Sequence, residues 1–372
     1  MITQMRILRF AISAAVVATL IVATGFVSTA LLRGRTPPAA AGSAAPDPTA
    51  GGPEVALQLP GEVYQLTYDP ERDALWFAVM DPGMSSWVYR FDIATAKTNR
   101  WELPTAPGNG FLSEVRLASD GAVWVSEDYA LARLVPESGQ MTSLELDAKV
   151  PDALPDNPTL PGTWVSAFAS DGTGALVART GVPYLTRLSS DLKVVEKVPV
   201  PDGFAGARDV AVLPGGPIAL LSGWSQSGQI AVLDPTGKQL SMFEAVNVGG
   251  NSRIAVDSAG AMVISETPST SYTAAGTSSA LLTGQTVNLS AVAADPISGV
   301  VAYDEVAGKL YRIDEGQLTG TVALPATSVT VMHGGQTFRS EAPAYVRAMT
   351  VDKHGATWLI VGRDRTLERA QL

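Results

Sequence analysis

The sequence predicts an all-β chain in which about seven four-stranded sheets close into a ring, preceded by one apolar N-terminal helix. Three observations carry this. Phe10–Leu32 is an uncharged apolar run; a unit of four short strands recurs from Glu54 onward; and the last unit is one strand short, with a candidate for that strand at the start of the repeats. A content of 46% hydrophobic and 17% charged residues over 372 positions suits a folded chain with a sizeable core.

The N-terminal element comes first. Residues 1–9 form a short arm, and 10–32 is a run of 23 residues rich in Ala, Val, Ile and Leu. As a helix it reaches about 34 Å, enough for a hydrocarbon core of about 30 Å. Arg6 and Arg9 precede it and Arg33 and Arg35 follow it, so charge alone barely sets its direction. The very short leading arm with its free amine favours an N-terminus inside and the remaining chain outside the cytoplasm. A cleaved signal peptide is the competing expectation, with small residues at Ser28, Thr29 and Ala30 and again at Ala39, Ala40 and Ala41; its apolar core is normally shorter, about 7–15 residues. Either way the body lies beyond the membrane, tethered or secreted.

Residues 33–53 read as a linker. Pro37, Pro38, Pro46, Pro48 and Pro53 stand among Ala and Gly, and proline fixes φ and lacks a donor, so the stretch is expected as a semi-extended spacer.

From 54 to 372 the same order recurs: an apolar strand, a turn with Asp, Gly or Pro, a second apolar strand, a loop, and two alternating strands. Val63–Pro70, Ala74–Val79, Trp87–Asp92 and Asn99–Pro104 make the first unit. Val115–Gly121, Val123–Glu127, Leu131–Val135 and Thr142–Leu146 make the second. Third, fourth and sixth units follow over Val165–Val200, Asp209–Phe243 and Ala291–Leu324. The fifth is weaker, with strands expected at Ser252–Asp257, Ala261–Glu266, Ser279–Thr283 and Thr286–Leu289. The seventh has three strands, Arg347–Asp352, Thr357–Val361 and Leu367–Gln371, and Glu54–Pro60 is expected as its fourth, closing the ring and removing an open sheet edge.

Units of about 46 residues match the roughly 40–50 of β-propeller blades. Six or eight blades remain open because the fifth unit is degenerate. Two unrelated β domains are the other architecture, with a boundary at the prolines between Pro151 and Pro161; the unchanged order of strands on both sides favours a long inter-blade loop there.

Within the units, an Asp-x-x-Gly turn leads into a second strand at Asp257–Glu266 and Asp352–Trp358, an Asp-Gly turn does so at Ser119–Glu127, and third strands end in Arg90–Asp92, Leu233–Gly237 and Arg312–Asp314. This pattern resembles propellers of the streptogramin-lyase-like, NHL and gluconolactonase group. Asp supplies a turn acceptor and Gly a positive φ, while Trp76, Trp124 and Trp358 fall at the same point of the second strand and are expected to wedge between blades.

Composition excludes several chemistries. The net charge is −10 even though the first 53 residues carry four arginines against one aspartate, so the body is acidic and has no basic stripe for nucleic acid. With no cysteine there is no disulfide, thiolate metal site or cysteine nucleophile, and only His333 and His354 could serve histidine chemistry. His354 sits in a turn. His333 is expected in a loop, Val331–Gln336, leading into the last blade, where it could face the axis. Streptogramin lyases use histidine with acidic residues, but no set of matched positions stands here, so no catalytic residue is assigned. The Gly-Gly pairs precede no helix, so no phosphate cradle is implied, and there is no Gly-x-Ser-x-Gly elbow.

Acidic residues at the ends of second strands are Glu127, Glu266, Asp304 and Glu305; converging on an axis, they could hold a divalent cation such as calcium. The gluconolactonase group is similar in using an axial divalent metal. Trp164, at a blade entrance, and His333 are the candidate ligand-binding residues. The expectation is thus a membrane-tethered, extracytoplasmic, non-enzymatic module that binds or scaffolds a protein or envelope ligand and needs no cofactor. The alternative is a metal-dependent hydrolase or lyase with its site on the axis.

Overall fold

Every regular element among the described residues is a β-strand, as short apolar runs bounded by Asp, Gly and Pro require. The computed structural model describes residues 53–372 apart from 81–84, 105–111, 128–129, 147–163, 225–226, 247, 249–251, 266–269, 276, 283–286, 334–335 and 363–364. The apolar run 10–32 and all of the linker but Pro53 therefore lie outside the described residues. No helix among the described residues is long and apolar enough to cross a membrane.

The chain enters with β1 (Glu54–Gln58) and builds blade one from β2 (Glu62–Asp69), β3 (Ala74–Met80), β4 (Ser86–Asp92) and β5 (Lys97–Glu102). Blade two is β6 (Leu112–Leu117), β7 (Val123–Glu127), β8 (Ala130–Val135) and β9 (Gln140–Glu145). Blade three is β10 (Val165–Ser170), β11 (Gly174–Arg179), β12 (Tyr184–Ser189) and β13 (Val194–Pro199). Blade four is β14 (Asp209–Val212), β15 (Ile218–Trp224), β16 (Ser227–Leu233) and β17 (Gln239–Val246). Blade five is β18 (Ile254–Val256), β19 (Met262–Ile264), β20 (Thr270–Tyr272) and β21 (Ser278–Ala280). Blade six is β22 (Leu289–Ala294), β23 (Val300–Asp304), β24 (Lys309–Asp314) and β25 (Gln317–Ala323).

A two-stranded ribbon, β26 (Thr327–His333) and β27 (Gln336–Ala342), then precedes blade seven, β28 (Val346–Val351), β29 (Ala356–Val361) and β30 (Thr366–Gln371), whose fourth strand is β1. The pairing is antiparallel, Glu54 opposite Arg369 and Gln58 opposite Thr366. The Leu59 amide extends it to the Arg365 carbonyl at 2.7 Å. Each innermost strand lies beside the next, β2, β6, β10, β14, β18, β22 and β28 in turn, and β28 returns to β2. This is a closed seven-bladed propeller. Strands β6 and β10, on either side of the proline-rich stretch, are neighbours in one ring, so there is no domain boundary between them.

Two expectations need correction. Blade five takes its third and fourth strands from Thr270–Tyr272 and Ser278–Ala280, upstream of the segments expected. The strand is set by one anchor, Tyr272, which is buried and stacks on Phe243 of blade four at 5.1 Å; the polar Ser and Thr around it leave no alternation to read. Leu281 and Leu282, whose apolarity predicts a strand, are buried just beyond β21 instead. The second correction is the segment of His333, which is a hairpin rather than a loop: Val329, Val331 and Phe338 give it β-branched and aromatic strand residues, and Thr327 pairs with Ala342 through to His333 with Gln336.

Second strands β3, β7, β11, β23 and β29 are buried almost throughout because adjacent blades cover both faces. That is why they read as unbroken apolar runs. The tryptophans do wedge between blades. Trp76 packs with Val115 and Val123 of blade two, Trp124 with Val165 and Phe168 of blade three, and Trp358 with Leu66 and Phe91 of blade one.

Turns between first and second strands line one end of the ring. In blade seven Asp352 Oδ1 accepts from the His354 and Ala356 amides at 2.9 and 3.0 Å, and Oδ2 from the Trp358 indole at 2.9 Å. Gly355 completes the turn at φ +79°. Blade one repeats the clasp, Trp76 Nε1 reaching Asp69 Oδ2 at 3.1 Å. Blade six substitutes an arginine of its third strand: Arg312 Nε lies 2.8 Å from Asp295 Oδ2, and its Nη2 donates to the Gly355 carbonyl of blade seven.

Candidate functional site

The opposite end is where innermost strands start and second strands end. The axis of the ring holds a cavity of about 460 Å³ lined by all seven innermost strands, from Arg253, Ser290 and Arg347 near their starts to Thr67, Arg116 and Ser170 near their ends. Most innermost strands carry a register shift near their start: between Leu112 and Val115 in β6, Val165 and Ala167 in β10, Leu289 and Ala291 in β22, and Val346 and Ala348 in β28. Such bulges leave a residue outside the ladder and re-aim its side chain. In β6 the freed Glu114 amide donates to Ser126 Oγ at 3.0 Å.

Glu114 and Asp209 are fully buried and anchor this end. Glu114 Oε2 accepts from the Phe168 amide of blade three at 2.9 Å, and Asp209 Oδ2 from the Ile254 amide of blade five at 2.6 Å. Arg116 lies between them, Nη2 at 3.2 Å from Asp209 Oδ1 and 3.6 Å from Glu114 Oε1. Arg253 Nε stands 3.8 Å from the same Glu114 oxygen, and its Nη1 donates to the Ser252 carbonyl at 3.0 Å. One network thus joins blades two to five. Beside it Arg208 donates from Nε to the Gly223 carbonyl at 2.7 Å, and Arg347 pairs with Glu62 at 2.9 Å across the closing seam.

Burial pushes the Glu114 carboxyl above its ordinary range; Arg116 opposes this and Asp209 adds to it. Burial, then the charge of Arg253, lowers Arg208. Arg116 sits above its usual range because the Glu114 and Asp209 carboxylates outweigh its own desolvation. The chemistry available is charge recognition by held guanidinium groups.

Of the residues singled out from sequence, Glu127, Asp304, Glu305 and Trp164 fall at this same end but do not gather. Glu127 is buried at the end of β7. Asp304, at the end of β23, is buried and engaged with backbone: Oδ1 accepts from the Val306 and Ala307 amides at 2.9 Å, and Oδ2 from Asn288 at 3.2 Å. Glu305 follows it, half-buried. Glu266 lies outside the described residues. Among the described residues no three His, Asp or Glu side chains stand close enough to share a metal ion. Trp164 precedes β10 and is 48% exposed. His333 ends β26 at the tip of the ribbon. The arginines went unnoticed in sequence, though the signal existed: Glu114 and Arg116 flank Val115, and Arg208, Asp209, Arg253 and Arg347 recur at innermost-strand starts, where an apolar residue would suffice for packing.

No protein-family model matches the chain, and no curated protein does. Solved structures do. A streptogramin B lyase superposes with a TM-score of 0.61 at 15% identity, over 84% of this chain and 94% of that one. Virginiamycin B lyase from Staphylococcus aureus gives 0.58 at 13% identity, over 85% and 98%. The WD40 repeats of RRP9 give 0.58 at 11% identity, over 87% and 99%. The protein is a seven-bladed β-propeller. Its fold is streptogramin-lyase-like, shared by enzymes and by WD40 repeats alike, so the fold by itself assigns no activity.

Proposed function

We propose that this chain is a membrane-tethered, extracytoplasmic, non-enzymatic binding module whose ligand, a protein or an envelope component, docks at the end of the ring where the arginines stand. One observation supports this above others. The charged groups of that end hold one another across four blades, so they form a fixed recognition surface rather than a nucleophile with its base. Exposed Trp164 at the same end adds an aromatic contact of the kind enriched at interfaces. The tether rests on the 10–32 run and its proline-rich linker. The module works without a resident metal.

Affinity capture from detergent extracts tests the role: wild type recovers a specific partner, and Trp164→Ala recovers less of it. Loss of any specific partner in both would overturn the reading. Protease added to intact cells should digest the propeller, and protection would refute the extracytoplasmic placement. Metal analysis of the purified chain separates the axial-metal alternative, since a stoichiometric divalent ion lost in Glu127→Gln would replace the binding role with a metal centre.

A further inference from the structure

We propose that the axial mouth is a small-oxyanion site, taking a carboxylate or phosphate group of the ligand between the guanidinium groups of Arg116 and Arg253. The assignment deepens the binding role and rests on it. Two observations bear it. Among the described residues, the charged side chains that line the cavity are Arg116, Arg253 and Arg347, all cationic, in a protein whose net charge is −10. A surface of that overall sign gives no general reason to collect cations on its axis.

The second observation is donor capacity. Arg116 Nη1 and Arg253 Nη2 have no acceptor among the described residues, and both side chains are 28% exposed. The Nε atoms of both arginines, with Glu114 Oε1, are buried without a hydrogen-bond partner. The separations of 3.6 and 3.8 Å to that oxygen exceed hydrogen-bond length, so the carboxylate positions the guanidinium groups without saturating them. Planar guanidinium forks match carboxylate and phosphate oxygens, and about 460 Å³ accommodates a small organic anion.

Isothermal titration calorimetry on the full-length chain in detergent, at constant ionic strength, tests the assignment with succinate and inorganic phosphate as separate probes. One saturable site is expected for at least one probe, and the two arms show which oxyanion is preferred. Arg253→Gln should weaken it about tenfold or more, whereas Lys97→Gln, on an exposed outer strand, should match wild type. Arg253→Lys, which keeps the charge but not the fork, should fall between them and serves if Arg253→Gln fails to fold, as judged by its melting temperature. No saturable binding of either probe, or equal affinity in the folded Arg253 variant and wild type, would overturn the proposal. If titration is flat while affinity capture still recovers a partner, the oxyanion site alone is lost. If titration succeeds while capture recovers nothing, the protein-docking role is what fails.

Discussion

At one end of the ring a single arrangement repeats: an aspartate at the first turn of a blade caps turn amides, two for Asp352 and Asp69 and one for Asp295, and takes an indole or a guanidinium, as Asp352 does with Trp358, Asp69 with Trp76 and Asp295 with Arg312. At the other end Glu114, Arg116, Asp209 and Arg253 make a network that occurs once and spans four blades. The first end joins residues within about ten positions in blades one and seven. The second joins residues of different blades 45 to 139 positions apart. The contrast separates what holds the propeller together from what it offers to a ligand.

The strongest test of that division is at the repeating end. Trp358→Ala removes a side chain that is 2% exposed and wedged between blades seven and one. It should cost about 3–5 kcal/mol, read as a fall in the urea midpoint. Asp352→Asn should cost about 1.5–3 kcal/mol, because it weakens charge-assisted bonds to two amides and the indole. Both variants, assayed where they remain folded, should bind succinate or phosphate as wild type does. A change in anion affinity without loss of fold would break the separation between the ends.

Glu114→Gln probes the opposite end, with the reverse pattern expected. The carboxyl is held above its ordinary range by burial, with Arg116, Asp209, Arg253 and the Phe168 amide around it. The native state therefore binds the Glu114 proton more tightly than the unfolded chain does. Its contribution to stability is complete below the unfolded value of about 4.3 and falls as pH rises toward the folded one. Glu114→Gln should flatten that limb of the stability–pH curve. Glu114→Gln should bind either anion several-fold tighter than wild type at pH 8, and the difference should narrow as pH falls and Glu114 takes up its proton. Calorimetry of wild type and variant compared at the same pH reads this; equal affinities at pH 8 would take Glu114 out of the mouth's electrostatics.

The same division governs how much could be read from the sequence. Blade grammar was legible because Asp, Gly, Trp and apolar runs act locally: the Asp352–Trp358 turn and the closing strand Glu54–Pro60 can be recognised from neighbours and from the missing fourth strand. Blade five was not, since Tyr272 alone carries its third strand and its anchor, Phe243, belongs to another blade. Asp304 is a case of correct location and different use. It ends a second strand as expected, but its oxygens are engaged by Val306, Ala307 and Asn288. The Arg116 network eluded reading because no spacing in the chain announces that Asp209 will meet Arg116.

Blade two offers the smallest and most discriminating change. Arg116 faces Trp124 across the ladder as Thr350 faces Trp358, which puts Ala118 where blade seven has Asp352. The turn hydrogen bonds agree: Ala118 N to Ala122 O and Gly121 N to Ala118 O, against Asp352 N to Ala356 O and Gly355 N to Asp352 O. The aspartate of this blade stands two positions later, at Asp120, where it caps Ala122 and pairs with Arg133. Trp124 Nε1 is in consequence buried with no acceptor among the described residues. Ala118→Asp should supply that acceptor and raise stability by about 1 kcal/mol, seen as a higher urea midpoint with the same slope. The gain should vanish in a Trp124→Phe background, which keeps the ring but lacks the donor. A gain that survives there would mean that the aspartate acts through the turn amides alone and that the indole clasp of blades one and seven is not the interaction blade two lacks.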